Sequence, residues 1–150
     1  VSGYNDIFTG SLWDNITMGN KHAQPDEIKE LVNQIGLTKF ISSLEKGFDT
    51  KLLTSGKGLT QNTINKILFA RAAYTNPSLL LLDNFDFSST DFEKRKIYQI
   101  ILGLKHSTVV AVSNNKEFYM QCNKIMHVEN ERITYFGRPS DFKGLNVEVL

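Results

Sequence analysis

Apolar residues recur along this chain in two rhythms, and each predicts a different element. Ile28, Leu31, Val32 and Ile35 fall at i, i+3, i+4 and i+7, one stripe of a helix. Pro25, Asp26 and Glu27 suit that helix's first turn, where N–H groups lack partners and the dipole is positive, and Gly36 stops it. A second short helix is expected over residues 38–44, ending near Gly47. A third follows Thr60, a suitable N-cap, with Ile64, Ile67, Leu68 and Arg71 on one face and Asn76-Pro77 as its end. Leu79, Leu80, Leu81 and Leu82 form an unbroken run capped by Asp83. Such a run predicts a strand buried on both faces of a parallel sheet, with its acid at the carboxyl end, where open α/β sheets place ligands.

Thr108, Val109, Val110, Ala111, Val112 and Ser113 predict a second buried strand, with Asn114 at its carboxyl end. Between the two runs, a helix from Phe92 turns Ile97, Ile101 and Leu104 inward and leaves Glu93, Lys94, Arg95 and Lys96 solvated. A strand, helix, strand unit of this kind crosses over right-handed. Residues 124–129 and 132–136, joined through Asn130-Glu131, predict an antiparallel hairpin, and a short helix is expected over residues 140–143. The fold class is therefore α/β: a helical part, a parallel sheet with flanking helices, and a hairpin near the end.

Composition narrows the function. The chain has 150 residues, 41% of them hydrophobic, enough for one ordinary core. Seventeen Lys and Arg against 16 Asp and Glu give a net charge of +1, so no field gathers nucleic acid or an anionic membrane surface. No apolar run approaches the roughly 18 residues of a bilayer span, and no leader pattern opens the sequence, so the segment reads as soluble. One cysteine, Cys122, forbids an internal disulfide and suits a cytoplasmic setting. His22, His106 and His127 are scattered without metal-ligand spacing, which leaves them surface or loop roles.

The order of motifs carries more than any of them singly. Ile7-Phe8-Thr9-Gly10-Ser11-Leu12-Trp13-Asp14-Asn15-Ile16, then Gly47-Phe48-Asp49-Thr50, then Leu59-Thr60-Gln61-Asn62-Thr63, then Ala70-Arg71-Ala72 and Pro77, then the strand ending in Asp83-Asn84 follow one another in that order. That succession resembles the second half of the nucleotide-binding domain of an ATP-binding cassette (ABC) transporter of the exporter type, a P-loop NTPase-like fold, over nearly the whole chain. The resemblance implies a helical subdomain over residues 11–76 with the signature helix, and the second half of the core over residues 77–150. The chain begins after the place where the Walker A phosphate loop would lie, and no G-x-x-x-x-G-K-[ST] occurs in it. A start at Val1 accordingly reads as a trimmed or partial domain.

By the same resemblance, residues 59–63 stand at the signature loop, which in the family faces the γ-phosphate of ATP bound by the opposite domain. Asp83 would hold magnesium through water; Thr90 or Asp91 is the D-loop acid position, with counting unable to choose. The departures are specific. The Q-loop glutamine falls on Gly3, the two signature glycines on Gln61 and Asn62, the catalytic glutamate on Asn84 and the switch histidine on Asn114. Side chains at Gln61 and Asn62 obstruct the backbone's approach to phosphate, although an ordinary capped helix explains the segment equally well. An amide at position 84 takes no proton from water, and one at position 114 carries no charge. Phe8 and Trp13 would face the transporter's membrane part, or else simply cover a small core.

The family further implies ATP and magnesium as ligands of the whole protein, with none bound by this stretch alone. It implies a second nucleotide-binding domain, a homodimer by default, a transmembrane domain on the same polypeptide, and a place at the cytoplasmic side of the membrane. Hydrolysis is expected to be impaired. The other readings are an inactive structural or dimerisation domain and an unrelated flavodoxin-like binding module.

Overall fold

A computed structural model describes residues 7–83, 85 and 90–142. The chain forms two compact units, residues 1–112 and 113–150. In the first, β1 (Gly10–Ser11) pairs antiparallel with β2 (Lys51–Leu52), and Leu12 N–H donates to the Thr50 carbonyl at 2.9 Å. The two stretches that resemble family motifs upstream of the signature are thus held side by side. Helix α1 (Leu12–Thr17) starts directly from β1 with Ser11 as N-cap. Ser11 Oγ accepts from Asp14 N–H at 2.9 Å and Asp14 Oδ2 accepts from Ser11 N–H at 3.2 Å, a reciprocal cap that satisfies two free donors.

Helix α2 (Pro25–Gln34) carries the expected stripe, with Ile28, Val32 and Ile35 buried and Leu31 half-buried. Gly36 follows at φ +72°, a left-handed conformation that ends the helix at little cost for glycine. After α3 (Thr38–Ser43) and a 3-10 turn over Gly47–Asp49, helix α4 (Gln61–Thr75) runs through the centre of the unit. Helices α1 and α2 both pack against it. Ile64, Ile67, Leu68, Phe69 and Ala70 are all buried, so α4 is covered on more than one side. Asn76 closes it in the left-handed conformation ahead of Pro77.

Strand β3 (Leu79–Leu82) and β4 (Thr108–Ala111) pair in parallel, Leu79 opposite Thr108 through Leu82 opposite Ala111, and helix α5 (Asp91–Leu102) lies between them in sequence. This is the strand, helix, strand unit read from the pattern. Burial on both faces does not hold. Leu80 and Leu82 are 5% and 2% exposed, but Leu79 and Leu81 are 54% and 59% exposed. On β4 the alternation repeats with Val110 exposed, and the strand ends at Ala111 rather than residue 113. Among the described residues this sheet has two strands, with one face covered and the other exposed. On α5, Ile97 and Ile101 point inward as expected, while Leu104 lies past the helix end and is half-buried.

In the second unit, α6 (Lys116–Tyr119) precedes an antiparallel hairpin of β5 (Ile125–Glu129) and β6 (Arg132–Gly137), one residue off the expected bounds at one end of each strand. Asn130 and Glu131 form its two-residue turn at φ 49° and 61°, the positive pair that matches strand twist. His127 lies on β5 rather than in a loop, its Nδ1 at 2.6 Å from Thr134 Oγ1 and its ring 5.1 Å from that of Phe142. Pro139–Asp141 form a 3-10 turn, whereas Lys143 lies outside the described residues.

Candidate functional site

The signature-position residues stand at the start of α4. Leu59 N–H donates to the Gly56 carbonyl at 2.9 Å, closing the turn before the helix. Gly56 has φ +66°, and a Cβ there would lie 2.8 Å from Ile64 Cδ1, so this turn requires glycine on two grounds. Thr60 is the N-cap: its Oγ1 accepts from Thr63 N–H at 3.2 Å and lies 2.9 Å from Thr63 Oγ1. Gln61 Nε2 donates to Asn65 Oδ1 at 2.8 Å. Thr60 and Gln61 are exposed, Asn62 and Thr63 half-buried. In any α-helix the first N–H groups lack intrahelical acceptors, so this fifteen-residue helix, with Gln61 exposed and Asn62 half-buried at its start, presents donors and positive potential to an anion.

Asp83 directly follows β3 and is exposed. Among the described residues no hydrogen bond or ion pair links it to residues 59–63. No three residues among His, Cys, Asp and Glu gather into a metal-holding group among the described residues. A single exposed carboxylate still suits magnesium, which is commonly held by one or two carboxylates together with water and phosphate.

Thr90 is the N-cap of α5, its Oγ1 accepting from Glu93 N–H at 3.3 Å, and Asp91 is the first helical residue. Asn114 belongs to the second unit, is exposed, and lies three residues beyond the end of β4, not at its tip. Asn115 beside it caps α6, its Oδ1 accepting from Phe118 N–H at 3.1 Å. Asn84 and Gly3 lie outside the described residues. Phe8 and Trp13 are half-buried, Phe8 beneath the Arg71 guanidinium at 5.4 Å and Trp13 edge-on to Phe48 at 5.8 Å.

Two charged groups on α4 make contacts that the pattern does not reveal. Arg71 Nε donates to the Asn15 carbonyl at 2.7 Å and one terminal guanidinium nitrogen to Asn15 Oδ1 at 3.0 Å. Lys66 is 7% exposed, and its Nζ lies 3.3 Å from Glu93 Oε2 and 3.3 Å from the Gly36 carbonyl. Glu93 is therefore an ion-pair partner and not part of a solvated face. The available signal was position: Lys66 sits between Ile64 and Ile67, inside the apolar stretch of the helix.

No family model matches the chain. It is 31% identical over 132 residues to the heterocyst differentiation ATP-binding protein HepA of Nostoc sp., covering 87% of this chain and 22% of that protein. It is 30% identical over 135 residues to ABC transporter B family member 1 of Dictyostelium discoideum, covering 87% of this chain and 14% of that one. The structure of a bacterial Atm1-family ABC exporter with ATP bound superposes with a TM-score of 0.74 at 20% identity, over 93% of this chain and 24% of that one. The chain thus spans less than a quarter of the length of each of these proteins.

Proposed function

The chain belongs to the ATP-binding family of ABC exporters, and from that premise we propose that it is the later half of a nucleotide-binding domain whose hydrolysis is impaired. Residues 11–76 form the helical subdomain and residues 77–150 the second half of the core, with the phosphate loop supplied from outside this stretch. A transmembrane domain on the same polypeptide and a second nucleotide-binding domain, by default an identical one, complete the exporter, and the ATPase domains lie on the cytoplasmic side of the membrane. Among the described residues no helix is long and apolar enough to cross a membrane.

The observation that supports this reading is the parallel register of β3 and β4. It brings the chain out of both strands at the same edge, with Asp83 following one strand and Val112 N–H donating to the Leu82 carbonyl at 3.0 Å beside it. Carboxyl edges of parallel strands are where α/β folds bind ligands. Asp83 would hold magnesium through water, and the ion would neutralise phosphate charge. The amides of Gln61 and Asn62 and the Thr60 hydroxyl would meet the γ-phosphate of ATP held by the opposite domain, with the Gln61 and Asn62 side chains limiting how closely the backbone approaches.

Hydrolysis needs a group that accepts a proton as water attacks. Asn84, at the glutamate position, can at most orient water and takes no proton, and removal of a general base typically costs 10²–10⁴-fold. Asn114, at the histidine position, donates one hydrogen bond without charge. Steady-state phosphate release from the purified intact protein is expected well below the roughly 1–100 s⁻¹ typical of phosphoryl-transfer enzymes such as kinases; a rate inside that range contradicts the reading. The 150-residue chain alone is expected to show no magnesium-ATP binding by calorimetry, and micromolar affinity would refute the placement of the phosphate loop elsewhere. The contacts of Gln61 with Asn65 and of Thr60 with Thr63 satisfy polar groups locally and favour, as a second reading, a structural domain that never meets phosphate. Transport in the intact protein independent of nucleotide would select it.

A further inference from the structure

We propose that Lys66 is a positioning residue that locks helix α4 to helix α5, so that the helix start at the signature position and the one at the D-loop position move as one body. The inference rests on the reading of Thr60 to Thr63 and of Thr90 and Asp91 given above. Lys66 joins three segments far apart in sequence: the Gly36 carbonyl just past α2, its own helix α4, and Glu93 in the first turn of α5. It therefore bridges the proposed helical subdomain and the proposed core half.

The surroundings are matched to the two charges. The C-terminal end of α2 carries partial negative charge and receives the ammonium; the N-terminal end of α5 carries partial positive charge and receives the carboxylate. Glu93 is the third residue of α5, placed to complete a reciprocal cap with Thr90, yet its Oε2 is turned to Lys66 Nζ at 3.3 Å. Gly36 leaves the space: a Cβ there would lie 2.5 Å from Glu93 Oε1 and 3.0 Å from Lys66 Nζ. Three residues are thus fitted to one ion pair.

Stability alone does not account for it. Lys66 is buried and Glu93 half-buried, and exchanging an ion pair drawn out of water for packed apolar residues is often neutral or favourable, because desolvation offsets the Coulomb attraction. What apolar residues lack is direction. An ammonium that needs both the Gly36 carbonyl and the Glu93 carboxylate within hydrogen-bond reach admits one rotation and one sliding position of α4 against α5.

The test is a distance distribution between spin labels on the exposed positions Gln61 and Gln99, with Cys122→Ser to remove the native thiol and no nucleotide present. The full chain is expected to give one narrow population, and Lys66→Arg to retain it. The double variant Lys66→Met/Glu93→Leu removes both charges, so it is expected to keep its fold by circular dichroism yet lose the narrow population. A distribution in the double variant as narrow as in the parent would overturn the proposal and reduce the pair to a packing detail. Because no ATP is used, that failure would leave the nucleotide reading standing. Absence of ATP binding by the intact protein would instead remove that reading without altering the distances.

Discussion

Arg71 acts at the residue scale by completing a polar cluster around Asn15, a residue 0% exposed. Asn15 Nδ2 donates to the Phe8 and Ser11 carbonyls at 3.0 Å each, and its Oδ1 accepts from Phe8 N–H at 3.1 Å as well as from the guanidinium. Arg71→Met keeps much of the stem but leaves Asn15 short of two donors. A buried polar group left unsatisfied costs about 1–3 kcal/mol, so the urea midpoint should fall by a corresponding amount; an unchanged midpoint would show that the cluster does not hold the fold. Cys122 offers a pH readout. Burial pushes its thiol above its ordinary range, and Sγ donates to the Phe118 carbonyl at 3.6 Å. The native state then keeps that proton at a pH where the unfolded chain releases it. Stability should therefore decline as pH rises through the ordinary thiol range, and iodoacetamide should react more slowly with native than with unfolded protein. Equal rates would contradict the burial.

At the scale of elements, α4 depends on its start. Thr60 supplies the hydroxyl that accepts from Thr63 N–H, and Thr60→Ala should cost about 1 kcal/mol while Thr60→Ser costs little. Thermal melts of the two variants check this; equal melting temperatures would mean the cap is idle. This helix also shows what the sequence makes legible. Its cap, its apolar face and its end at Asn76-Pro77 follow from spacing and turn chemistry, as do the stripe of α2 and the two-residue turn of the hairpin. Lys66 does not, because a lysine in a helix is read as solvent-facing until a partner 27 residues away is known. Glu93 is hidden by the run Lys94, Arg95, Lys96, although its place three residues after Thr90 puts it at a helix start. Leu79 to Leu82 contain no alternation, so their identical side chains conceal which face is covered. Counting leaves the D-loop position open between Thr90 and Asp91, and the hydrogen bond of Thr90 to Glu93 N–H decides only which of them caps α5.

At the scale of the whole molecule, the uncovered sheet face governs solution behaviour. Leu79 and Leu81 on β3 share that face with Val110 on β4 and Val112 just beyond it, 54% to 68% exposed. Contiguous exposed apolar surface promotes association. The 17.0 kDa chain should elute earlier as concentration rises, and Leu81→Lys should weaken that shift without unfolding the protein. Equal elution volumes at low and high concentration, both at the monomer position, would contradict it. The proposed impairment of hydrolysis rests on chemistry, with amides at positions 84 and 114 where a proton acceptor and an imidazole would be needed. The most direct measurement is single-turnover hydrolysis of ATP by the intact protein beside its Asn84→Glu and Asn84→Glu/Asn114→His variants. The account predicts slow turnover in the parent and a rise of about 10²-fold or more once the carboxylate is present. Fast turnover in the parent, unchanged by Asn84→Glu, would contradict it.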